Sequence, residues 1–340
     1  MSESSNPALR FGVLGAANIA RQFIAGVAPS ALAAIHGVAS RDATKGESFA
    51  RETGVARHYG SYEEMLADPE VEAVYNPLPN SLHAPWSIRA AEAGKHVLCE
   101  KPLALDAHEA HAMFDAARAN GVVLREAYPY MAQPQTVAMR RLLAEGAVGR
   151  PQYVQATIGF SLADPANVRF DPALGGGAVL DAGSYPVSLV RIALGRAPAR
   201  VSAVARFHGP GVDRTLLGTL DFADGTLAQV ACSFRSGNHR HALIAGDDGV
   251  LETTFMNHLR GGPLHLQLKR GKASTAPSET IDEGGGDGFQ LEAESFVRLV
   301  RGDAAAWTGA TEAESVDIAA TIDALRRSAA RDGAWTEVSG

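Results

Sequence analysis

Three short stretches of this sequence carry residue types that could hold a nucleotide and a second ligand against one lysine. Glu100-Lys101-Pro102 closes the apolar run Gly94-Lys95-His96-Val97-Leu98-Cys99. The residue before a proline is pushed to extended geometry, so Pro102 fixes where the Lys101 side chain leaves its strand, at a point where hydride chemistry would take place. Gly12-Val13-Leu14-Gly15-Ala16-Ala17-Asn18-Ile19-Ala20 sets small residues at 15, 17 and 20, the three positions of the dinucleotide fingerprint, with alanine replacing its second glycine. Backbone amides and a helix N-terminus at such a turn can hold a pyrophosphate. Asp181 and Tyr185 are four residues apart, so on one helix both project from one face and could address one ligand. Gly175-Gly176-Gly177 before them would let backbone come close to a bound molecule, and Pro186 would kink the helix beside the tyrosine. Taken singly, each stretch has a plainer reading: an exposed lysine and glutamate pair, a merely tight turn, and a core tyrosine behind a helix-capping glycine run.

The second strand, Ile35-His36-Gly37-Val38-Ala39, ends in Ser40-Arg41 where an acidic residue would accept bonds from an adenosine ribose. An arginine there pairs with a 2′-phosphate that a carboxylate would repel, which favours NADP over NAD, with Ser40 and Lys45 within reach. The alternative is a surface arginine at a strand end.

The elements that must position these residues are legible as rhythm. From residue 10 to 126 strand-like and helix-like runs alternate: Phe11 to Leu14 and Ile19 to Val27, Ile35 to Ala39 and Thr44 to Thr53, Ala73 to Tyr75 and Leu82 to Ala93, Val97 to Cys99 and Ala107 to Ala119, then Val122 to Leu124. That is the pattern of a doubly wound parallel sheet, punctuated by Asp42 and Asp106 ahead of helices and Gly94 and Gly121 behind them. After about residue 145 the texture changes to half-buried alternating strands at Val201 to Phe207, Leu216 to Phe222, Leu227 to Phe234 and Leu243 to Ala245. Asp224-Gly225 and Asp248-Gly249 mark hairpins. A helix from about Gly176 to Leu194 precedes these strands, helices near Gln290 to Arg301 and Glu312 to Arg331 close the chain, and Gly284-Gly285-Gly286-Asp287-Gly288 reads as a mobile loop, with a substrate-facing lid as the weaker reading. The expectation is an α/β protein: a Rossmann domain over residues 1–126 and an α+β domain over 127–340 with a large open, mostly antiparallel sheet, its final helix able to pack back on the first domain.

At 340 residues the chain exceeds the size at which a single core stops growing. A net charge of −7 leaves no basic excess for nucleic acid. Met1 to Pro7 has no apolar core, and no later run reaches membrane-spanning length, so a cytoplasmic protein is expected. Cys99 and Cys232 are too few and too far apart for a disulfide framework. His108/His111 and His239/His241 lack both the four-residue spacing and the third ligand of a zinc site, so no metal is expected.

Four ordered runs then coincide with one family. Gly12 to Ala20, Tyr75-Asn76-Pro77-Leu78-Pro79-Asn80-Ser81-Leu82-His83, Glu100-Lys101-Pro102-Leu103 and Asp181 to Pro186 make the chain resemble the glucose-fructose oxidoreductase, inositol dehydrogenase and rhizopine-catabolism (Gfo/Idh/MocA) family from Arg10 to about Arg331. Within it the resemblance is to the branch of NADP-linked aldose (xylose) dehydrogenases, trans-dihydrodiol dehydrogenases and keto-sugar reductases. It implies a cofactor lined by Gly15, Ala17, Asn18, Ile19, Ser40, Arg41, Lys45, Tyr62, Pro77, Leu78, Asn80 and His83, with Glu100 near its ribose and Lys101 at the reacting carbon. Tyr185 is implied as the proton donor or acceptor, and Asp181, Tyr130, Phe160 and Arg169 as substrate contacts. Lys101 would then favour the phenolate without which a phenol is too weak a base.

The implied activity is hydride transfer between NADP and a sugar or cyclic polyol, foremost aldose 1-dehydrogenation. Keto-sugar reduction, aldose-aldose transfer with held cofactor, trans-dihydrodiol oxidation and a non-enzymatic NADP sensor are the alternatives. Relatives pair through the open sheet, which implies a homodimer or homotetramer. Where relatives often read Glu-Ala-Phe-Met-Tyr-Arg-Phe-His-Pro-Gln, this chain has Glu126-Ala127-Tyr128-Pro129-Tyr130-Met131-Ala132-Gln133-Pro134-Gln135. An arginine and a histidine are thereby absent from a segment expected to face the substrate and set its selection.

Overall fold

The computed structural model describes residues 6–209, 211–258 and 264–340; residues 1–5 of the N-terminal stretch lie outside these. Strands β1 (Leu9–Leu14), β2 (Ala33–Ala39), β3 (His58–Tyr59), β4 (Ala73–Asn76), β5 (His96–Glu100) and β6 (Leu124–Ala127) form a six-stranded parallel sheet in the order β3-β2-β1-β4-β5-β6. They are connected by α1 (Asn18–Val27), α2 (Ala43–Thr53), α3 (Tyr62–Ala67), α4 (His83–Glu92) and α5 (Ala107–Ala119). Phe11, Val13, Leu14, Val74, Tyr75, Val97, Leu98 and Cys99 are wholly buried, because helices cover both faces of the central strands. Asp42, Ser61 and Asp106 each accept the amide proton three residues on and so start α2, α3 and α5. The order reverses between β1 and β4, and the crevice at that switch point is where such sheets take their ligands.

The second half runs α6 (Pro134–Ala144), β7 (Pro151–Ser161), α7 (Ala178–Asp181), α8 (Ser184–Leu194), β8 (Arg200–His208), β9 (Val212–Asp221), β10 (Leu227–Ser233), β11 (Arg235–Gly246), β12 (Gly249–Thr253), β13 (His265–Arg270), β14 (Ser278–Asp282), α9 (Gly288–Val300), α10 (Glu312–Ala329) and β15 (Thr336–Glu337). Nine of these strands make one sheet in the order β14-β13-β12-β11-β7-β10-β9-β8-β15, antiparallel except between β7 and β10. Both Asp-Gly sites join antiparallel neighbours, β9 to β10 and β11 to β12. Helices α8 and α10 cover one face of the sheet. The last two helices also reach the first sheet. Phe289 and Phe296 of α9 meet Phe23 and Phe11, while α10 sends Val316, Ala319 and Ala320 into the first core and Ile318, Ile322 and Leu325 into the second. Among the described residues no helix is long and apolar enough to cross a membrane.

Four sequence expectations are corrected. The single helix expected over 176–194 is two, broken at Ala182-Gly183, where a Cβ on Gly183 would lie 2.7 Å from the Val179 carbonyl oxygen. Pro186 sits in the first turn of α8, where its missing amide proton has no helical acceptor to lose, since the Ala182 carbonyl already takes the Tyr185 amide. The last parallel strand begins at Leu124, because Val122 is still bonded back to Ala117 at the end of α5, and so it runs on into Glu126 and Ala127. The stretch 284–288 is tied down: Gly286 exchanges hydrogen bonds with the Gln133 amide in both directions, and Asp287 caps α9.

Candidate active site

The nucleotide turn follows directly from β1. Gly15 takes φ 86° and donates its N–H to the Ala39 carbonyl at 2.7 Å, and a Cβ there would stand 3.0 Å from Leu78 Cδ2. Both the left-handed backbone and this close approach call for glycine. Ala17 is the N-cap of α1 and no side chain caps that helix, so its N-terminal amides are left for an anion. These residues therefore fit a dinucleotide. Ser40 is buried at the end of β2, whereas Asn18, Arg41 and Lys45 are exposed and Ile19 is half-buried. Asp42, the nearby carboxylate, is committed to the Lys45 amide at 3.0 Å. Burial pushes the Tyr62 phenol up, and the Arg41 guanidinium beside it works the other way, which places the two together.

The β4 exit loop closes over this turn. Pro77 and Leu78 are buried, Asn80 donates to the Gly175 carbonyl at 2.8 Å, and buried His83 has its ring nitrogens 2.8 and 2.7 Å from the Pro102 and Leu78 carbonyls. Burial pulls His83 down to about 4, so its ring is neutral and its single N–H can be donated to only one of these two carbonyls. The Gly175 to Gly177 run lets other parts of the protein approach closely. Cβ atoms there would meet Asn80, the Arg169 and Asp171 carbonyls, and Asp213, each at less than 3.0 Å.

Lys101, at the end of β5 before a cis peptide to Pro102, crosses to the second domain. Its Nζ donates to the backbone oxygen and to Oδ1 of Asp181, both at 3.0 Å, while Arg169 Nε donates to Oδ2 at 2.6 Å. Burial opposes charge on Asp181, yet Lys101 and Arg169 outweigh it and hold the carboxyl at about 2. Burial likewise opposes charge on Lys101, and Asp181, Tyr185 and Glu100 together more than offset it, so the lysine is held above its ordinary value. An ammonium carries three protons, so one of them remains for a substrate oxygen. Glu100, one residue earlier, is buried and accepts the Tyr75 hydroxyl at 2.5 Å.

Tyr185, in the first turn of α8, lies between two cations. Lys101 Nζ is 5.1 Å and Arg240 Cζ 4.4 Å from its ring centroid. Its hydroxyl accepts a hydrogen bond from Asn257 Nδ2 at 3.1 Å, so the lysine faces the ring and the asparagine faces the oxygen. The remaining expected substrate contacts divide. Arg169 is at the site through Asp181 and remains partly exposed. Tyr130 is wholly buried, gives its hydroxyl to a bond with Ser188 at 2.8 Å, and supports the Tyr185 ring from behind. Phe160 packs on Phe234 beneath the β7 end. Met131 and Gln133, expected to face the substrate, are likewise buried: Met131 receives Arg140, and Gln133 holds the Asn257 and Gly286 carbonyls. Arg240 and Asn257 were not anticipated. The only signal for Arg240 was an arginine in an alternating strand, and Asn257 reaches a tyrosine 72 residues away.

Comparison with known proteins identifies related enzymes. A model of an oxidoreductase family with an NAD-binding Rossmann fold matches residues 9–128, and a Gfo/Idh/MocA C-terminal domain model matches residues 136–252. The D-xylose 1-dehydrogenase (NADP(+)) 2 of Haloferax volcanii is 37% identical over 330 residues, 94% of this chain and 97% of that enzyme. Mouse (Mus musculus) trans-1,2-dihydrobenzene-1,2-diol dehydrogenase is 35% identical over 72% of this chain and 74% of its own. A solved levoglucosan dehydrogenase, in complex with NADH and levoglucosan, superposes with a TM-score of 0.84 at 25% identity, covering 98% of this chain and all of that one. With both halves matched and enzymes of this kind alike over most of its length, the chain belongs to the Gfo/Idh/MocA oxidoreductase family and is an enzyme acting on CH–OH groups of sugars or polyols.

Proposed function

We propose that the chain is an NADP-dependent dehydrogenase that oxidises an aldopyranose at its anomeric carbon. The observation that carries this reading is the Asp181 carboxylate, which brings Lys101 from the first domain against Tyr185 from the second at the carboxyl edge of the parallel sheet. The nicotinamide, when bound, supplies the hydride acceptor. Lys101 orients and polarises the substrate oxygen with its remaining proton, and the Tyr185 oxygen takes the hydroxyl proton as the carbonyl forms. Asp181 keeps the lysine charged and aimed, and Arg169 is the exposed donor for a neighbouring hydroxyl. Support for NADP comes from exposed Arg41 and Lys45 where a ribose-binding carboxylate is missing, Asp42 being spent on its helix, and from the NADP in the name of the xylose-oxidising relative. A cytoplasmic location and pairing of two copies through the open sheet belong to the same proposal.

The test is a panel of aldoses, inositols, keto-sugars and dihydrodiols offered with each nicotinamide cofactor, followed by its absorbance. Aldose oxidation preferring NADP is expected. Turnover confined to dihydrodiols or keto-sugars moves the substrate assignment, and preference for NAD removes the cofactor assignment. NADP(H) released only on denaturation would indicate transfer between two sugars.

A further inference from the structure

Between Tyr185 and the second sheet lies a hydrogen-bond chain that the steps above do not use. Arg240 Nη1 donates to Asn257 Oδ1 at 3.2 Å, and Asn257 Nδ2 donates to the Tyr185 hydroxyl at 3.1 Å. The same guanidinium lies 4.4 Å from the centre of the Tyr185 ring, within the range of a cation–π contact. Asn257 is itself held. Gln133 Nε2 donates to its carbonyl at 2.6 Å, and a Cβ on Gly288 would fall 2.2 Å from that carbonyl, so the backbone there is closely enclosed. Gln133 is bonded in turn to both backbone groups of Gly286.

The chemistry of the amide gives this chain a direction. An asparagine amide has one accepting and one donating end, whereas a guanidinium can only donate. Arg240 therefore requires the Asn257 oxygen on its own side, which turns the NH₂ toward Tyr185. A phenol facing that NH₂ accepts, so its own proton is directed away from Asn257.

We propose that Arg240 and Asn257 are positioning residues that fix the direction of hydrogen bonding at Tyr185, so that its oxygen exchanges a proton with substrate and not with the protein. The inference rests on the reading of Tyr185 as the acid or base. In oxidation the substrate O–H bond breaks and its proton forms a new bond to the Tyr185 oxygen, while the C–H electron pair would leave as hydride to a bound nicotinamide. The Asn257 N–H stabilises the phenolate present before that transfer. Neither positioning residue gains or loses a proton.

Asn257→Asp is nearly isosteric and retains an acceptor for Arg240, but it replaces the donor facing Tyr185 with an acceptor. Its kcat should fall roughly ten- to a hundred-fold, the scale of one charge-assisted hydrogen bond, with substrate KM and NADP affinity within about threefold of the parent. Arg240→Met should fall by a similar factor. In a Tyr185→Phe background neither change should lower the residual turnover further, because residues that act through one oxygen are non-additive once it is gone. An unchanged kcat in Asn257→Asp overturns the proposal. So do losses that multiply in the Tyr185→Phe background, which would mean that Arg240 or Asn257 meets the substrate directly. Should Arg240→Met fail to fold, as thermal melting would show, Asn257→Asp alone decides. Full activity of Tyr185→Phe by itself refutes the tyrosine reading; a crippled Tyr185→Phe beside an active Asn257→Asp refutes only the directional role.

Discussion

Asp181 holds two cations on one carboxylate, and each commits it differently: the Lys101 bond joins the two domains, and the Arg169 bond stays within the second. The types of the residues proposed to react were legible because Lys101 and Tyr185 lie in short motifs. Their mutual geometry was not, since it depends on a break in the helix between Asp181 and Tyr185 that the four-residue spacing conceals. If Lys101 and Tyr185 carry the chemistry, Lys101→Met and Tyr185→Phe should each lower turnover by about a hundred- to ten-thousand-fold while NADP still binds, which fluorescence titration of the cofactor would check. At the other end of the cofactor, Arg41 is exposed, and the neighbouring Asp42 carboxylate is occupied by the α2 amide. Arg41→Ala should weaken NADP roughly ten- to a hundred-fold and leave NAD nearly unchanged. Equal losses for both cofactors in a competition titration would make Arg41 a structural residue.

At the scale of elements, β6 and the turn after it show where sequence patterns stop being informative. Tyr128, Tyr130 and Met131 have the polar or bulky character of a binding segment, yet all three are wholly buried against α8 and the second sheet. No periodicity distinguishes a short turn that faces a ligand from one that faces a core, because the packing partners lie more than fifty residues away. The alternating βα elements were readable because their signals are local: caps at Asp42 and Asp106, and apolar strands of fixed period. Glu126 on β6 provides a measurable consequence of that burial. It accepts the Leu103 amide at 2.9 Å, and burial pushes its carboxyl up to about 7 from 4.5. The unfolded chain releases this proton first, so the stability the group contributes is complete below about pH 4.5 and is lost as pH rises through about 7. Glu126→Gln keeps an acceptor for Leu103 and cannot ionise. A tenfold change in a proton's binding constant is worth about 1.4 kcal/mol, so the variant should gain a few kcal/mol over the parent between those limits. Melting temperatures that differ by the same amount at pH 4.5 and pH 7.5 would contradict this.

At the scale of the whole molecule, the described residues leave outward positions of the second sheet exposed on the face away from α8 and α10. On β9 the alternation puts Leu216, Gly218 and Leu220 inside and Leu217 and Thr219 outside, and cross-strand pairing sets Leu217 between Val204 on β8 and Ala231 on β10. Thr157 of β7 extends that row, and Ser202, Thr219, Gln229 and Gln155 form a polar row beside it. Val204 and Leu217 remain 57% and 59% exposed, on β8 and β9 toward the β15 end of the nine-stranded sheet. An exposed apolar row of this kind suits a second copy of the same surface, since a two-fold contact would bring like rows together and a stable dimer needs only about 800 Å² per partner. Leu217→Glu would place two carboxylates in that contact while leaving the inward side chains of β9 untouched. The parent chain should therefore elute as a dimer or tetramer, and the variant as a smaller species with unchanged far-ultraviolet circular dichroism, both measured by light scattering at matched concentration. A parent that is monomeric at micromolar concentration, or a variant that assembles as the parent does, would place any association on another surface.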